Sequence, residues 1–250
     1  MTSIPCPICG AASTPLDVVD FNKSCAESWG THLPLCGVPV YYYRCGNCGY
    51  CHAPQFRDWR PEDYRERIYN ERYIEVDPDY VEKRPAIAAA GLIQTFGNVA
   101  PSIRHLDYGS GSGVLSRMLR EAGWDSTAYD PYADPGSAPE GADRFDLITA
   151  YEIFEHVADV NHLMADISSL LAENGVLILS TLLSDGFIAP QQRITWWYAS
   201  PRNGHISLFS KQSLAILAGR YGFHLGGFSP ALHVMWRSVP PWAGHFIRIV

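Results

Sequence analysis

The sequence has no excess of positive charge: 19 Lys and Arg stand against 26 Asp and Glu, a net charge of −7. A chain that follows a phosphate backbone carries a basic face, so this balance argues against a large nucleic-acid substrate. It also lacks any apolar run approaching the ~20 residues of a membrane-crossing helix. The first residues, MTSIPCPICG, carry neither the basic stretch nor the apolar core of a secretion signal. Seven cysteines without that signal point to a reducing cytoplasm, and to metal binding rather than disulfides. What is left is a 250-residue chain, 47% hydrophobic and 18% charged, long enough for one α/β domain and a small appendage.

The stretch RHLDYGSGSG at 104–113 organises the rest. His105 to Tyr108 read as a short buried strand that brings Asp107 to its end. Glycines follow at 109, 111 and 113, with Ser110 among them, and then Val114, Leu115, Met118 and Leu119 recur at helical spacing until Gly123. Strand, glycine turn and helix open a nucleotide-binding βα unit, in which missing Cβ atoms let a ligand lie against backbone amides at a helix N-terminus. The spacing is GxGxG rather than GxGxxG, and the Lys-Ser/Thr pair of a P-loop is absent. A second strand, Asp125 to Tyr129, ends at Asp130, where a carboxylate commonly receives ribose hydroxyls. The cofactor expected from these residues is of adenosine type.

Four landmarks, DYGSGSG, YDP, FDLITAYEIFEHV and LLAENGVLILST, occur in this order. In them the chain resembles the class I S-adenosylmethionine (SAM) methyltransferases over roughly residues 68–230. The resemblance implies a Rossmann-like α/β sheet and SAM as cofactor. It places Tyr151 beside the methionine part of SAM, and makes Tyr69 and Tyr73 candidates for a lid over the cofactor, against a plain packing role. The sequence departs from the family at 130–144, where three prolines and two glycines replace a helix, a third strand and the acid near the adenine. That third strand is expected to be very short or missing. Val160 to Leu171 reads as an amphipathic helix stopped at Asn174-Gly175, and Val176 to Thr181 as a fifth, central strand. Lys211 to Tyr221 reads as the last large helix, and Phe223–Ser229 and Leu232–Arg237 as the closing antiparallel strands.

Two CxxC pairs, Cys6/Cys9 and Cys45/Cys48, are each followed by glycine and stand 35 residues apart. A glycine behind a CxxC permits the reversal that points two thiolates at one tetrahedral ion, so the pairs predict a structural four-cysteine zinc ribbon. Cys25, Cys36, Cys51 and His52 are read as bystanders. The ribbon segment has too few apolar residues for its own core, so the ion would supply its folding energy. The domain reading is a ribbon at 1–56, a helical bridge or lid at 57–100 and a SAM-binding domain at 101–250.

The segment 182–210 follows the fifth strand, at the edge where open α/β sheets bind substrate. Its Trp196, Trp197 and Tyr198, followed by Arg202 and Asn203, are read as a substrate wall. The alternative is that the aromatics plug a core. An oxygen nucleophile needs a base near neutral pKa, which makes His205 the first candidate, His156 the second and Glu152 the third. Zinc knuckles, tyrosine bridge and SAM domain together are similar to nucleotide-sugar and polysaccharide methyltransferases, though a C-terminal domain of the C-methylating members is missing. The expected acceptor is a sugar-like or other small hydroxylated metabolite, with the oligomeric state left open. The rivals are an RNA base methyltransferase with a zinc module and a non-catalytic protein on a SAM fold.

Overall fold

The computed structural model describes residues 2–132, 139 and 144–247. In chain order the described strands are β1 (Ile4–Pro5), β2 (Ala12–Asp20), β3 (Pro39–Cys45), β4 (Cys51–His52), β5 (Arg104–Tyr108), β6 (Asp125–Tyr129), β7 (Phe145–Tyr151), β8 (Leu171–Ser180), β9 (Ser207–Leu208), β10 (His224–Gly227) and β11 (Leu232–Trp236). The α-helices are α1 (Pro61–Arg67), α2 (Tyr73–Val76), α3 (Lys83–Phe96), α4 (Val114–Glu121), α5 (Val160–Leu170) and α6 (Lys211–Arg220).

Two compact units emerge, and they are cut differently from the sequence reading. One comprises Met1–Pro78, Phe154–Leu163 and Thr181–Arg220; the other comprises Asp79–Ile153, Met164–Ser180 and Tyr221–Val250.

The second unit is built on a six-stranded sheet in the order β10-β11-β8-β7-β5-β6. The strands β6, β5, β7 and β8 run parallel, and β11 and β10 close the sheet antiparallel. Its centre reads as continuous apolar sequence because parallel strands are covered on both faces. Leu106, Leu147, Ile148, Val176 and Leu177 are fully buried. Helix α3 adds Ala89, Leu92 and Phe96, spaced at helical intervals along one face, to a core shared with Leu115, Leu119 and Trp124. The helix stop expected at Asn174-Gly175 is not there. Helix α5 ends at Leu170 and β8 begins at the next residue. Phe145 and Leu147 of β7 pair with Leu171 and Val176, so the Asn-Gly turn residues lie in a bulge of β8. The third strand and the adenine-side acid discussed for 131–144 lie almost wholly outside the described residues.

His105 is completely buried in this sheet, with Nδ1 2.8 Å from Ser126 Oγ and Nε2 3.0 Å from Thr149 Oγ1. Burial holds its pKa down to about 3. The folded chain therefore keeps it neutral while the unfolded chain protonates it near pH 6.5, and stability drains away as pH falls from there toward 3. Urea titrations at pH 7.5 and 5 should show the native chain losing about 2 kcal/mol more than His105→Gln, all of it below about pH 6.5. Equal losses in both would show that this imidazole does not control acid stability.

The first unit carries a five-stranded antiparallel sheet, β1-β2-β3-β4-β9. Its last strand comes from far along the chain, with Cys51 pairing with Leu208 and His52 with Ser207. The core under it joins Val40, Tyr42, Cys51, Phe56, Tyr64, Ile68 and Tyr73 to Ile188, Ile194, Trp196, Tyr198, Ile206 and Leu208. The apolar residues that the cysteine-rich segment lacks are thus supplied by residues 188–208. The segment has no core of its own and shares this one. Helices α1 and α2 lie within the expected helical bridge, and Tyr64, Ile68 and Tyr73 all turn into that core.

Candidate functional site

In the sheet unit the glycine turn is formed as the sequence predicted. Gly109, Gly111 and Gly113 adopt φ of 74°, 52° and 71°, and Gly113 caps the start of α4. The left-handed region strains any residue with a Cβ, and a Cβ on Gly109 would stand 2.1 Å from Ile153 Cδ1. The turn's N–H groups, however, are engaged within the unit. Those of Gly109 and Ser110 donate to the Tyr129 carbonyl at 2.7 and 3.2 Å, that of Gly113 to the Ser110 carbonyl at 2.8 Å, and that of Gly111 to Asp130 Oδ2 at 3.0 Å. The turn therefore offers a ligand close backbone approach rather than a row of open amides.

Two carboxylates flank it. Asp130 accepts from Gly111 and, through Oδ1, from the Tyr132 N–H at 3.0 Å. Asp107 is buried at the end of β5, accepts from Thr149 Oγ1 at 3.4 Å, and has its pKa pushed up to about 7 by burial, with the nearby charge of Asp130 adding to the rise. Tyr151 closes β7, its hydroxyl pKa raised by burial and then by Asp107. Glu152 adopts φ 56°, and its carboxylate accepts from Ser180 Oγ at 2.9 Å and stands 3.8 Å from Arg84 Nη1. The donor set here, buried and half-buried acids beside backbone that a Cβ would block, fits a ligand that carries both an ammonium and a sugar diol.

The other expected residues gather in the first unit. Tyr69 OH lies 2.9 Å from His156 Nδ1, and its ring packs edge-on to Tyr73 with centroids 5.1 Å apart. Tyr73 OH donates to the Asn203 carbonyl at 3.3 Å. Both tyrosines thus have packing and bonding roles inside a unit that does not contain the glycine turn. The aromatics expected as a substrate wall divide: Trp196 and Tyr198 are core, while Trp197 is half-buried against it. Arg202 Nη1 donates to the Ile68 carbonyl at 3.0 Å, and Asn203 Oδ1 accepts from the Cys25 N–H at 2.9 Å. Burial lowers the Arg202 pKa.

Sequence reasoning missed Glu155. Its carboxylate is wholly buried, accepts from Tyr198 OH at 2.5 Å, and groups with His156 and His205 so that one ligating atom of each lies within 4.8 Å of the others. The signal was in the string EHV, where only the histidine was weighed.

The four expected cysteines converge. Gly10 N–H donates to the Cys6 carbonyl at 2.9 Å and Gly49 N–H to the Cys45 carbonyl at 3.1 Å, two copies of one knuckle with φ of 77° and 75° at the glycines. Cys6 and Cys48 Sγ stand 3.7 Å apart, and Cys9 and Cys45 Sγ 3.4 Å apart. All four sulfurs lie within 4.8 Å of one another. A tetrahedron with Zn–S of about 2.3 Å puts sulfurs about 3.8 Å apart, so the set fits a zinc ion with little movement. The hydrogen bond with Cys48 holds the Cys6 thiol down to about 5. Cys51 instead sits in the core, its thiol pKa raised by burial, and His52 stacks on Tyr50 at 5.1 Å, in keeping with their exclusion from the ligand set.

No described helix is long and apolar enough to cross a membrane. Residues 80–225, more than half of the chain, match the profile of a methyltransferase domain. The ubiquinone biosynthesis O-methyltransferase of Azorhizobium caulinodans is 35% identical over 119 residues, a stretch covering 36% of this chain and 47% of that protein. Its counterpart from Rhodopseudomonas palustris is 28% identical over 101 residues, covering 32% and 40%. The chain thus spans about half the length of the curated relatives it matches, or less. Among solved structures, the Burkholderia thailandensis 1,6-didemethyltoxoflavin-N1-methyltransferase, determined with its substrate and S-adenosylhomocysteine, aligns with a TM-score of 0.50 at 19% identity, over 84% of this chain and 99% of that one. That likeness speaks for the fold. The sheet order, the glycine turn with its two acids and the profile match agree: the chain belongs to the methyltransferase-domain family, and the expected SAM-dependent methyltransferase of class I fold is what these findings support.

Proposed function

We propose that the chain transfers a methyl group from SAM to a hydroxyl oxygen of a small acceptor, with a zinc ion held by Cys6, Cys9, Cys45 and Cys48 as a structural fastener. One observation carries the reading: a family match over 80–225 that includes a GxGxG turn bracketed by Asp107 and Asp130. In that transfer the acceptor oxygen attacks the methyl carbon, the C–S bond breaks with its electron pair on sulfur, and the hydroxyl proton leaves. Alignment and desolvation do most of the work, because positive charge disappears from sulfur in the transition state. Asp130 would receive the ribose diol, Asp107 and Tyr151 would face the amino-acid end, and the hydroxyl proton would pass to solvent.

Oxygen as the acceptor atom is supported by the names of the relatives, which are ubiquinone biosynthesis O-methyltransferases. A sugar-like acceptor is supported by the order of zinc knuckles, tyrosine bridge and SAM-binding landmarks along the sequence, and competes with quinone-type precursors. The test is transfer of labelled methyl from SAM to three pools: nucleotide sugars, hydroxylated quinone precursors and ribosomal RNA. Label in either small-molecule pool, with none in RNA, is expected. Label in RNA alone would replace the reading with base methylation, and no label anywhere, with SAM bound, would favour a binding protein.

A further inference from the structure

We propose that Glu155, His156 and His205 bind one divalent transition-metal ion, at a site separate from the four-cysteine cluster. The site deepens the O-methyl-transfer reading and depends on it only for its use in catalysis. The three residues come from two distant stretches of the first unit, and each is oriented by a partner. Tyr198 holds two of them at once: its hydroxyl donates to Glu155 Oε1 at 2.5 Å, and its backbone carbonyl lies 2.8 Å from His205 Nδ1. A carbonyl only accepts, so His205 carries its proton on Nδ1 and its lone pair on Nε2, the tautomer a ligating histidine needs. Tyr69 OH meets His156 Nδ1 at 2.9 Å, which orients that ring. The two imidazoles meet edge to face with centroids 4.8 Å apart.

Space is reserved as well. Gly204 precedes His205 with φ 87°, and a Cβ there would stand 2.6 Å from Tyr69 OH and 2.9 Å from His156 Nδ1. Any side chain at 204 would intrude on the pair. Glu155 and His205 are buried, and a carboxylate removed from water is stabilised by a cation among its neighbours. Ligands about 2.1 Å from an ion lie about 3.0 to 3.4 Å from each other, so the cluster, now within 4.8 Å, closes by about an ångström on binding. Two imidazoles and one carboxylate suit Mn, Fe, Co or Zn, and leave coordination positions for an oxygen ligand. A hydroxyl bound to such an ion would release its proton to solvent at lower pH, with the histidines holding the ion.

The probe is Mn2+, which thiolates bind poorly, added to the full chain with its cysteines saturated by zinc. Loss of the free-ion electron paramagnetic resonance signal should report one Mn2+ per chain. Glu155→Gln and His205→Asn should each weaken binding more than 100-fold, and Tyr198→Phe, which leaves every ligand in place, by about 10- to 100-fold. Heat of SAM binding measured on the same samples reports whether the variants fold and whether the cofactor reading holds. Native protein that takes up no Mn2+ or Co2+, or variants that fold and bind either ion like the native chain, would overturn the site. Absence of SAM heat in native protein that still binds Mn2+ would overturn the transfer reading and leave the metal site standing.

Discussion

Chelation of zinc, or Cys48→Ser, is expected to release the N-terminal knuckle while the rest of the chain stays folded. Before Ala12 the ties besides the sulfurs are few: β1 is two residues long and pairs only Ile4 with Ser13 and Pro5 with Ala12, and the Pro7 carbonyl accepts from Asn161 Nδ2 at 3.0 Å and Arg220 Nη1 at 2.9 Å. Ile8 is fully buried, but it lies in the CPIC turn and depends on the knuckle for its position. From Ser13 onward, β2 is held along β3 as far as Asp20 and Pro39, and β3 reaches the core through Val40 and Tyr42. Structural zinc contributes about 10–16 kcal/mol of apparent folding energy to isolated finger peptides that have no other support. Here a shared core survives the loss, so the effect is large but local. Hydrogen exchange should show the amides of Cys6, Gly10, Gly46 and Gly49 losing more than 100-fold of their protection. Amides of β5 and β7 should be unchanged. Uniform exchange with and without chelator would rule out a fastening ion, and collapse of protection everywhere would show that the core of residues 40–208 cannot stand without it.

That locality separates what the sequence made legible from what it did not. The βα unit at 104–121 could be read because its signals are adjacent: an apolar strand, glycines with positive φ and a helical stripe all lie within eighteen residues. The two knuckles were legible for the same reason, each being a five-residue pattern with its own internal hydrogen bond. What was not legible depended on distant partners. Residues 182–210 read as a substrate segment in sequence; in the structure Leu208 pairs with Cys51, and Trp196 and Tyr198 fill the core that the cysteine-rich segment could not make alone. Asn174-Gly175 carries the chemistry of a helix stop, but pairing of β8 with β7 overrides it and turns the dipeptide into a bulge. The turn amides looked open to a ligand because their acceptors, the Tyr129 carbonyl and Asp130, become neighbours only once β6 lies beside β5.

Asp107→Asn should stabilise the ligand-free chain at pH 8 by a few kcal/mol and remove most of its affinity for SAM. Burial keeps the Asp107 carboxyl protonated up to about pH 7 in the folded chain, whereas an unfolded chain releases that proton near pH 4. Between those values the folded state binds the extra proton, so raising the pH through this window costs stability, up to about 1.4 kcal/mol per unit. An amide at this position carries no charge to desolvate, and the cost disappears. A SAM molecule brings an ammonium and a sulfonium, and a cation beside Asp107 favours its ionised form. Cofactor binding at pH 6 should therefore expel close to one proton per chain, visible as a binding heat that changes with the ionisation enthalpy of the buffer. Affinity should climb by as much as tenfold per pH unit below about 7 and then level off. In Asp107→Asn the same titration should be flat and weaker by 10- to 100-fold at pH 8, with its stability falling less between pH 5 and pH 8 than that of the native chain. A native protein whose SAM affinity does not change between pH 5.5 and 8, in buffers of any ionisation heat, would place the cofactor's cationic end away from Asp107. The acid would then be a purely internal strain in the sheet, and Asp107→Asn would gain stability with no loss of binding.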